Sequence, residues 1–178
     1  GANANKIIVP SGQTLDASNG FIAPAGHTVQ VGISRSTASE YFATTNTFFA
    51  LSGTNLSMTA KQDNSLFIYQ ATLSAEADAS GAHNSFFRYK YRINSGSWVY
   101  HTSTLTQNGT AFLDSGGSFN EGLAYAFDGI STSVGDVIEF QLEFRTTASG
   151  VQFNQQSLSG QPSSTSNFHQ IIVQEIAQ

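Results

Sequence analysis

Cysteine is absent from this 178-residue chain, and charge is scarce. Without cysteine there is no disulfide framework, no thiolate metal ligand and no cysteine nucleophile. Asp, Glu, Lys and Arg make up only 11% of residues, against about 25% in an ordinary soluble domain. Seven basic residues face twelve acidic ones, for a formal net charge of -5. The clustered Lys and Arg with which a general nucleic-acid binder offsets phosphate are therefore not expected. Proline occurs three times. No apolar run approaches the ~18–20 residues that span a bilayer, and Gly1 to Lys6 lacks the apolar core of a signal peptide. Neither a nucleic acid nor a membrane is an expected partner. Hydrophobic residues at 39% and aromatics at 12% argue against disorder.

What fills the chain instead is 24 Ser, 17 Thr and 14 Phe, with Tyr, Val and Ile besides. These residues favour a pleated, half-buried surface, and the long charged side chains that cover helix faces are missing. The composition predicts an all-β protein. Strands are expected over 28–33, 47–51, 55–59, 65–73, 85–93, 98–100, 123–127, 137–145, 151–154 and 168–176, with loops over 105–120 and 157–167. Turn signals recur about every ten residues, the rhythm of an antiparallel sandwich or jelly roll. Two strands alternate most clearly. Phe87, Tyr89, Tyr91 and Ile93 fall on one side of theirs, Arg88, Lys90 and Arg92 on the other. Ile138, Phe140, Leu142 and Phe144 are predicted to face the core, Glu139, Gln141, Glu143 and Arg145 to face out. The last strand is apolar on both faces, Ile171 and Val173 against Ile172 and Ile176. That suits a central strand or one at a subunit contact.

Residues 1–26 read as a separate segment before a head domain over 27–178. Its apolar side chains, Ile7, Ile8, Val9, Leu15 and Ile22, are too few to build a core, and a piece this small is marginal in water. It must dock on the head or on copies of itself.

Two stretches resemble a known family. Asn5 to Gly20, built on Lys6-Ile7-Ile8-Val9-Pro10-Ser11-Gly12-Gln13-Thr14-Leu15-Asp16, resembles a short β segment recurrent in tail-fibre and virion-surface proteins of bacteriophages. Val134-Gly135-Asp136, the alternating strand to Arg145, and the ending Phe168 to Ala177 resemble the jelly-roll heads of the same proteins. Those heads look like the trimeric fold of tumour necrosis factor and the globular head of complement. Residues 36–125 match only in strand rhythm. The resemblance implies a homotrimer on the virion surface, with the 1–26 segments of three chains forming a triangular prism that trimerises or anchors the head. It implies a non-enzymatic structural protein, a tail-fibre or short-fibre component concerned with host recognition. Its partners would be other virion proteins, a tail adaptor or the major capsid protein, and a bacterial surface glycan. The alternative is a capsid decoration or cement protein. Long fibres carry an anchoring domain and a shaft, and 178 residues leave room for neither, so a chain complete at this length is expected to be a short tip or a decoration protein. A secreted module of the complement-head type is a third, more distant reading.

Little in the sequence points to catalysis, and no cofactor or metal is expected. His27, His83, His101 and His169 have no metal-ligand spacing and read as loop or strand-end residues. Glycoside hydrolysis needs two carboxylates across a cleft. The available ones, Glu76, Asp78, Asp114, Glu121 and Asp128, lie in Gly/Ser-rich or Ala-rich stretches that suit solvated turns. Arg88, Lys90 and Arg92 could form an anion-binding stripe, or could pair across strands with Glu139 and Glu143, each such pair being worth about 0.2–1 kcal/mol. Tyr41, Phe42, Trp98, Tyr100 and Phe119 could stack on sugar rings, or could belong to the core or a trimer axis, where large aromatics usually lie. Trp98, beside the Asn94-Ser95-Gly96-Ser97 turn, has the best claim to exposure. Loops over 101–122 and 155–167 are the expected glycan-facing loops of an adhesin.

Overall fold

The structure is a computed structural model describing residues 25–37, 40–42, 47–77, 82–100, 108–113, 118–146, 151–153 and 169–178. The 1–24 stretch, with Ile7, Ile8, Val9, Leu15 and Ile22, lies outside the described residues. So do residues 101–107, 114–117 and 155–167 of the expected glycan-facing loops.

Twelve strands and no helix occur among the described residues: β1 Thr28–Ser36, β2 Glu40–Phe42, β3 Phe49–Ala50, β4 Leu56–Thr59, β5 Leu66–Ala77, β6 Ala82–Ile93, β7 Val99–Tyr100, β8 Asn108–Leu113, β9 Ser118–Phe127, β10 Val137–Thr146, β11 Val151–Phe153 and β12 His169–Ile176. They form two antiparallel sheets of six strands, packed as a sandwich. In the first, β12 lies between β1 and β5, and β5 also pairs with β9 and with β11, which pairs with β2. In the second, β10 pairs with β3 and β4 on one side and β6 on the other, and β6 pairs with β7 and β8.

The core follows from period-two alternation. Ile138, Phe140, Leu142 and Phe144 on β10 are fully buried, as are Phe67, Leu73, Ile171 and Val173 from the facing sheet. Phe87 and Tyr89 are buried on β6, with Tyr91 and Ile93 packed against the core. Aromatic rings fill the centre: Phe127 lies 5.2 Å from Phe140 and Tyr89 lies 5.0 Å from Tyr125, ring centre to ring centre. The Tyr69 hydroxyl donates to the Thr54 carbonyl at 2.8 Å, while that of Tyr89 is buried without a hydrogen-bond partner among the described residues. Burial pushes the Tyr89 hydroxyl up to about 12. The β6–β7 turn forms as read, with Asn94 and Ser95 at positive φ, as a type I′ hairpin requires, and Gly96 N–H donating to Ile93 at 2.8 Å.

One expectation is corrected. Residues 105–120 do not form only loops: they contain β8 and the start of β9, because the long strands β5 and β6 supply partners that override weak local propensity. The apolar face of β1 points away from the core. Val31 and Ile33 are 52% and 60% exposed, while Gly32 points inward, where a Cβ would sit 2.8 Å from Leu56 Cδ2. Gln70 and Thr72 on the outer side of β5 are exposed. His169 is a strand-end residue, as read. It opens β12 fully buried, and burial pushes its pKa down to about 4.

The outer face of the first sheet carries no charge over its middle. Register and burial place Ile33 beside Ile172, and Ile172 beside Gln70, on that face. Gly122 and Ala124 on β9 leave a shallow groove there next to Gln70, Thr72, Gln170 and Ile172. Inside, Glu175 is fully buried and ties the last strand to the 60–65 loop. It accepts from the backbone N–H groups of Lys61 (3.0 Å) and Gln62 (3.1 Å), from Ser65 Oγ (2.8 Å) and from the Gln30 amide.

Candidate functional site

The outer face of the second sheet gathers four of the chain's seven basic residues. Arg88, Lys90 and Arg92 alternate with core residues on β6, so all three project outward. On β10 the outward positions are Glu139, Gln141, Glu143 and Arg145. The antiparallel register sets Arg92 opposite Glu139, Lys90 opposite Gln141, Arg88 opposite Glu143 and Phe86 opposite Arg145. On the other side, β7 places Tyr100 opposite Lys90.

The cross-strand pairing considered for these charges is present. Arg92 donates to Glu139 through Nε at 2.9 Å and Nη2 at 2.7 Å, which holds the guanidinium above its ordinary pKa. Arg88 donates to Glu143 Oε2 through Nε at 2.8 Å and also through Nη2. Lys90 reaches diagonally, and its Nζ meets Glu143 Oε1 at 2.7 Å. One carboxylate thus serves two cations. The three cations of β6 thus share two carboxylates of β10.

Aromatic rings separate the cations. Arg145 lies 4.4 Å from the centre of Phe86 and 5.0 Å from that of Phe48. Arg88 lies 4.5 Å from Phe48 and 4.1 Å from Tyr100. Lys90 is 4.4 Å from Trp98, and Arg92 is 4.6 Å from the same ring. Ring and cation alternate from Phe86 to Arg92. Each such contact is worth about 0.5–2 kcal/mol, more as water is excluded. Tyr100 is exposed and Trp98 half-buried, so these two lie on the outer sheet face and not in the core.

Trp98, Tyr100, Arg88, Lys90 and Arg92 therefore form one surface. Phe119 does not join them: it lies on β9 in the other sheet, with its backbone paired to Ala75, and its side chain lies outside the described residues. Tyr41 and Phe42 lie on β2, also in the first sheet. Phe48 and Phe86 were missed as site residues. Phe86 could have been found by parity, since it sits two residues before Arg88. Phe48 could not, because its place depends on β3 pairing with β10. Among the described residues no group of three or more His, Asp or Glu could hold a metal ion, and no helix is long and apolar enough to cross a membrane.

No family model matches the chain, and no curated protein matches it. Among solved structures it is similar to a chain in the structure of infectious bursal disease virus Gx strain, with a TM-score of 0.40 and 9% identity. The match covers 96% of this chain and 43% of that one, so the chain spans less than half the length of that neighbour.

Proposed function

We propose that the chain is a non-enzymatic structural protein of a bacteriophage particle, a trimeric tail-fibre or short-fibre component that contacts the bacterial surface. The strand order supports a jelly-roll head: β1-β12-β5-β9 faces β3/β4-β10-β6-β7/β8, so an early strand lies beside a late one in each sheet. The observation that carries the self-association is the outward apolar face of β1. Val31 and Ile33 stand more than half exposed beside Ile172, on a sheet face uncharged over its middle. Contiguous apolar surface of this kind marks interaction sites, and a homo-oligomer closes it by symmetry. The sequence resemblance supplies the phage and the host surface.

The test is imaging of the assembled particle together with attachment to susceptible cells. On the order of a dozen copies at a tail, with purified chain binding those cells, is the expected result. Hundreds of copies over a shell would replace the fibre by a decoration role. No attachment to any susceptible strain would remove the host-recognition role.

A further inference from the structure

We infer that the exposed ridge of β1 seats in the shallow groove beside β9 of a second copy of the chain, so that three copies close into a ring through unlike edges of one sheet face. This rests on the reading of the β1 face as a self-association surface and names the surface it meets. The outer face of the first sheet can be followed row by row. Ile33 stands beside Ile172, Ile172 beside Gln70, and Gln70 beside Ala124. In the next row Val31 lies in line with Ala126. The face is therefore high at β1, where Val31 and Ile33 project into water, and low at β9, where the exposed outward residues are Gly122, Ala124 and Ala126. Among the described residues β1 pairs only with β12 and β9 only with β5, so ridge and hollow lie at opposite edges.

Gly122 is an independent sign that something approaches this edge. Its φ is not positive. Among the described residues no atom lies within 4 Å of the place a Cβ would take, and the β5–β9 register runs through it without a shift. Glycine weakens a strand interior, and there it marks a bulge, a bend or the close approach of a ligand or another chain. The unbroken register excludes the bulge. The groove, about 350 Å³ between Gln70, Thr72, Gln170 and Ile172, has no charged residue in its lining. Val31 and Ile33 enter such a groove without burying a charge. A small ligand would fill the groove and leave the ridge in water, whereas a second copy covers both. Two ridges meeting across a two-fold axis would leave the groove open. Ridge into groove joins unlike patches, and unlike patches repeated about an axis close a ring.

The chain has no cysteine, so introduced thiols report on this contact alone. Within one copy three strand spacings, about 14 Å, separate Ile33 from Ala124. A disulfide needs Cα atoms within about 7 Å, so any link between these positions joins two copies. The full chain carrying Ile33→Cys and Ala124→Cys, oxidised and run without reductant, should give covalent species of two and three chains and none larger. Ile33→Cys alone should stay a single chain. Gly122→Gln with Ala124→Gln, which fills the groove, should raise at least tenfold the concentration at which the particle dissociates in sedimentation. Ser57→Gln, exposed on the other sheet, should leave it unchanged. Thermal melts establish that each variant is folded, and the exposed Ala124→Gln alone carries the test if the pair is not. Self-linking by Ile33→Cys, no link in the doubly substituted chain, or a groove-filled chain that assembles like the wild type would each overturn the inference. A wild type of three chains in any of those cases keeps the self-association reading, and a wild type that sediments as a single copy overturns both.

Discussion

Lys90 Nζ lies 2.7 Å from Glu143 Oε1, with both side chains only 7% exposed. This ion pair sits on the outside of a sheet, yet Trp98 lies over the ammonium and Glu143 is sealed among its cationic neighbours. Removing one partner from a buried pair leaves an uncompensated charge. Glu143→Ala, which strands Lys90 and deprives Arg88 as well, is expected to cost about 3–5 kcal/mol in denaturant unfolding. Replacing Lys90 and Glu143 together by apolar residues of similar size should cost much less. Equal losses for the single and double replacements would show that the pair itself, and not the stranded charge, sets the stability.

Glu175 holds four donors on the inner side of β12. Glu175→Ala takes the carboxylate acceptor from the part-buried Lys61 and Gln62 N–H groups and from the Ser65 hydroxyl, an expected loss of about 3 kcal/mol. Glu175→Gln keeps an acceptor oxygen and should lose less. Hydrogen exchange at Lys61 and Gln62 reads the local effect, and both amides should exchange faster in the Ala variant.

Burial lowers the His169 pKa from the 6.5 of a free side chain to about 4. The folded state therefore favours the neutral ring. The stability this contributes is fully present above pH 6.5 and is lost as pH falls from 6.5 through 4, in total about 3 kcal/mol. Unfolding free energies at pH 7, 5.5 and 4 should show this fall, and His169→Gln should flatten it over that window. A variant with an unchanged pH dependence would remove His169 as the cause.

Two core tyrosines should respond oppositely to loss of the hydroxyl. Tyr69→Phe breaks the bond to the Thr54 carbonyl and should destabilise by about 1 kcal/mol. Tyr89→Phe removes a buried hydroxyl that has no partner among the described residues, and should be neutral or stabilising. Melting temperatures of the two variants decide this.

Much of this was legible in the sequence where alternation is strict. The 85–93 and 137–145 stretches announce their inner and outer faces residue by residue, and the Arg–Glu pairing followed from charges repeating at the same period. The sharing of Glu143 by Arg88 and Lys90 was not legible, because it depends on a diagonal reach between strands. β1 shows a different limit. Its valines and isoleucine alternate as a core strand's would, and nothing in a period-two pattern tells whether the apolar face meets the core or another chain. Gly32, facing Leu56 and Met58, carried the information, but an inward glycine leaves no mark on hydropathy. β8 was missed because Asn108-Gly109-Thr110 reads as a turn until β6 offers it a partner.

The mass of the full chain in solution tests the central claim most directly. Sedimentation equilibrium should give three chains per particle for the wild type, and a lower mass for Ile33→Asp with Ile172→Asp, which places charge on the apolar face of β1 and β12. A wild-type chain that sediments as a single copy, or a doubly substituted chain that still assembles as three, would contradict it.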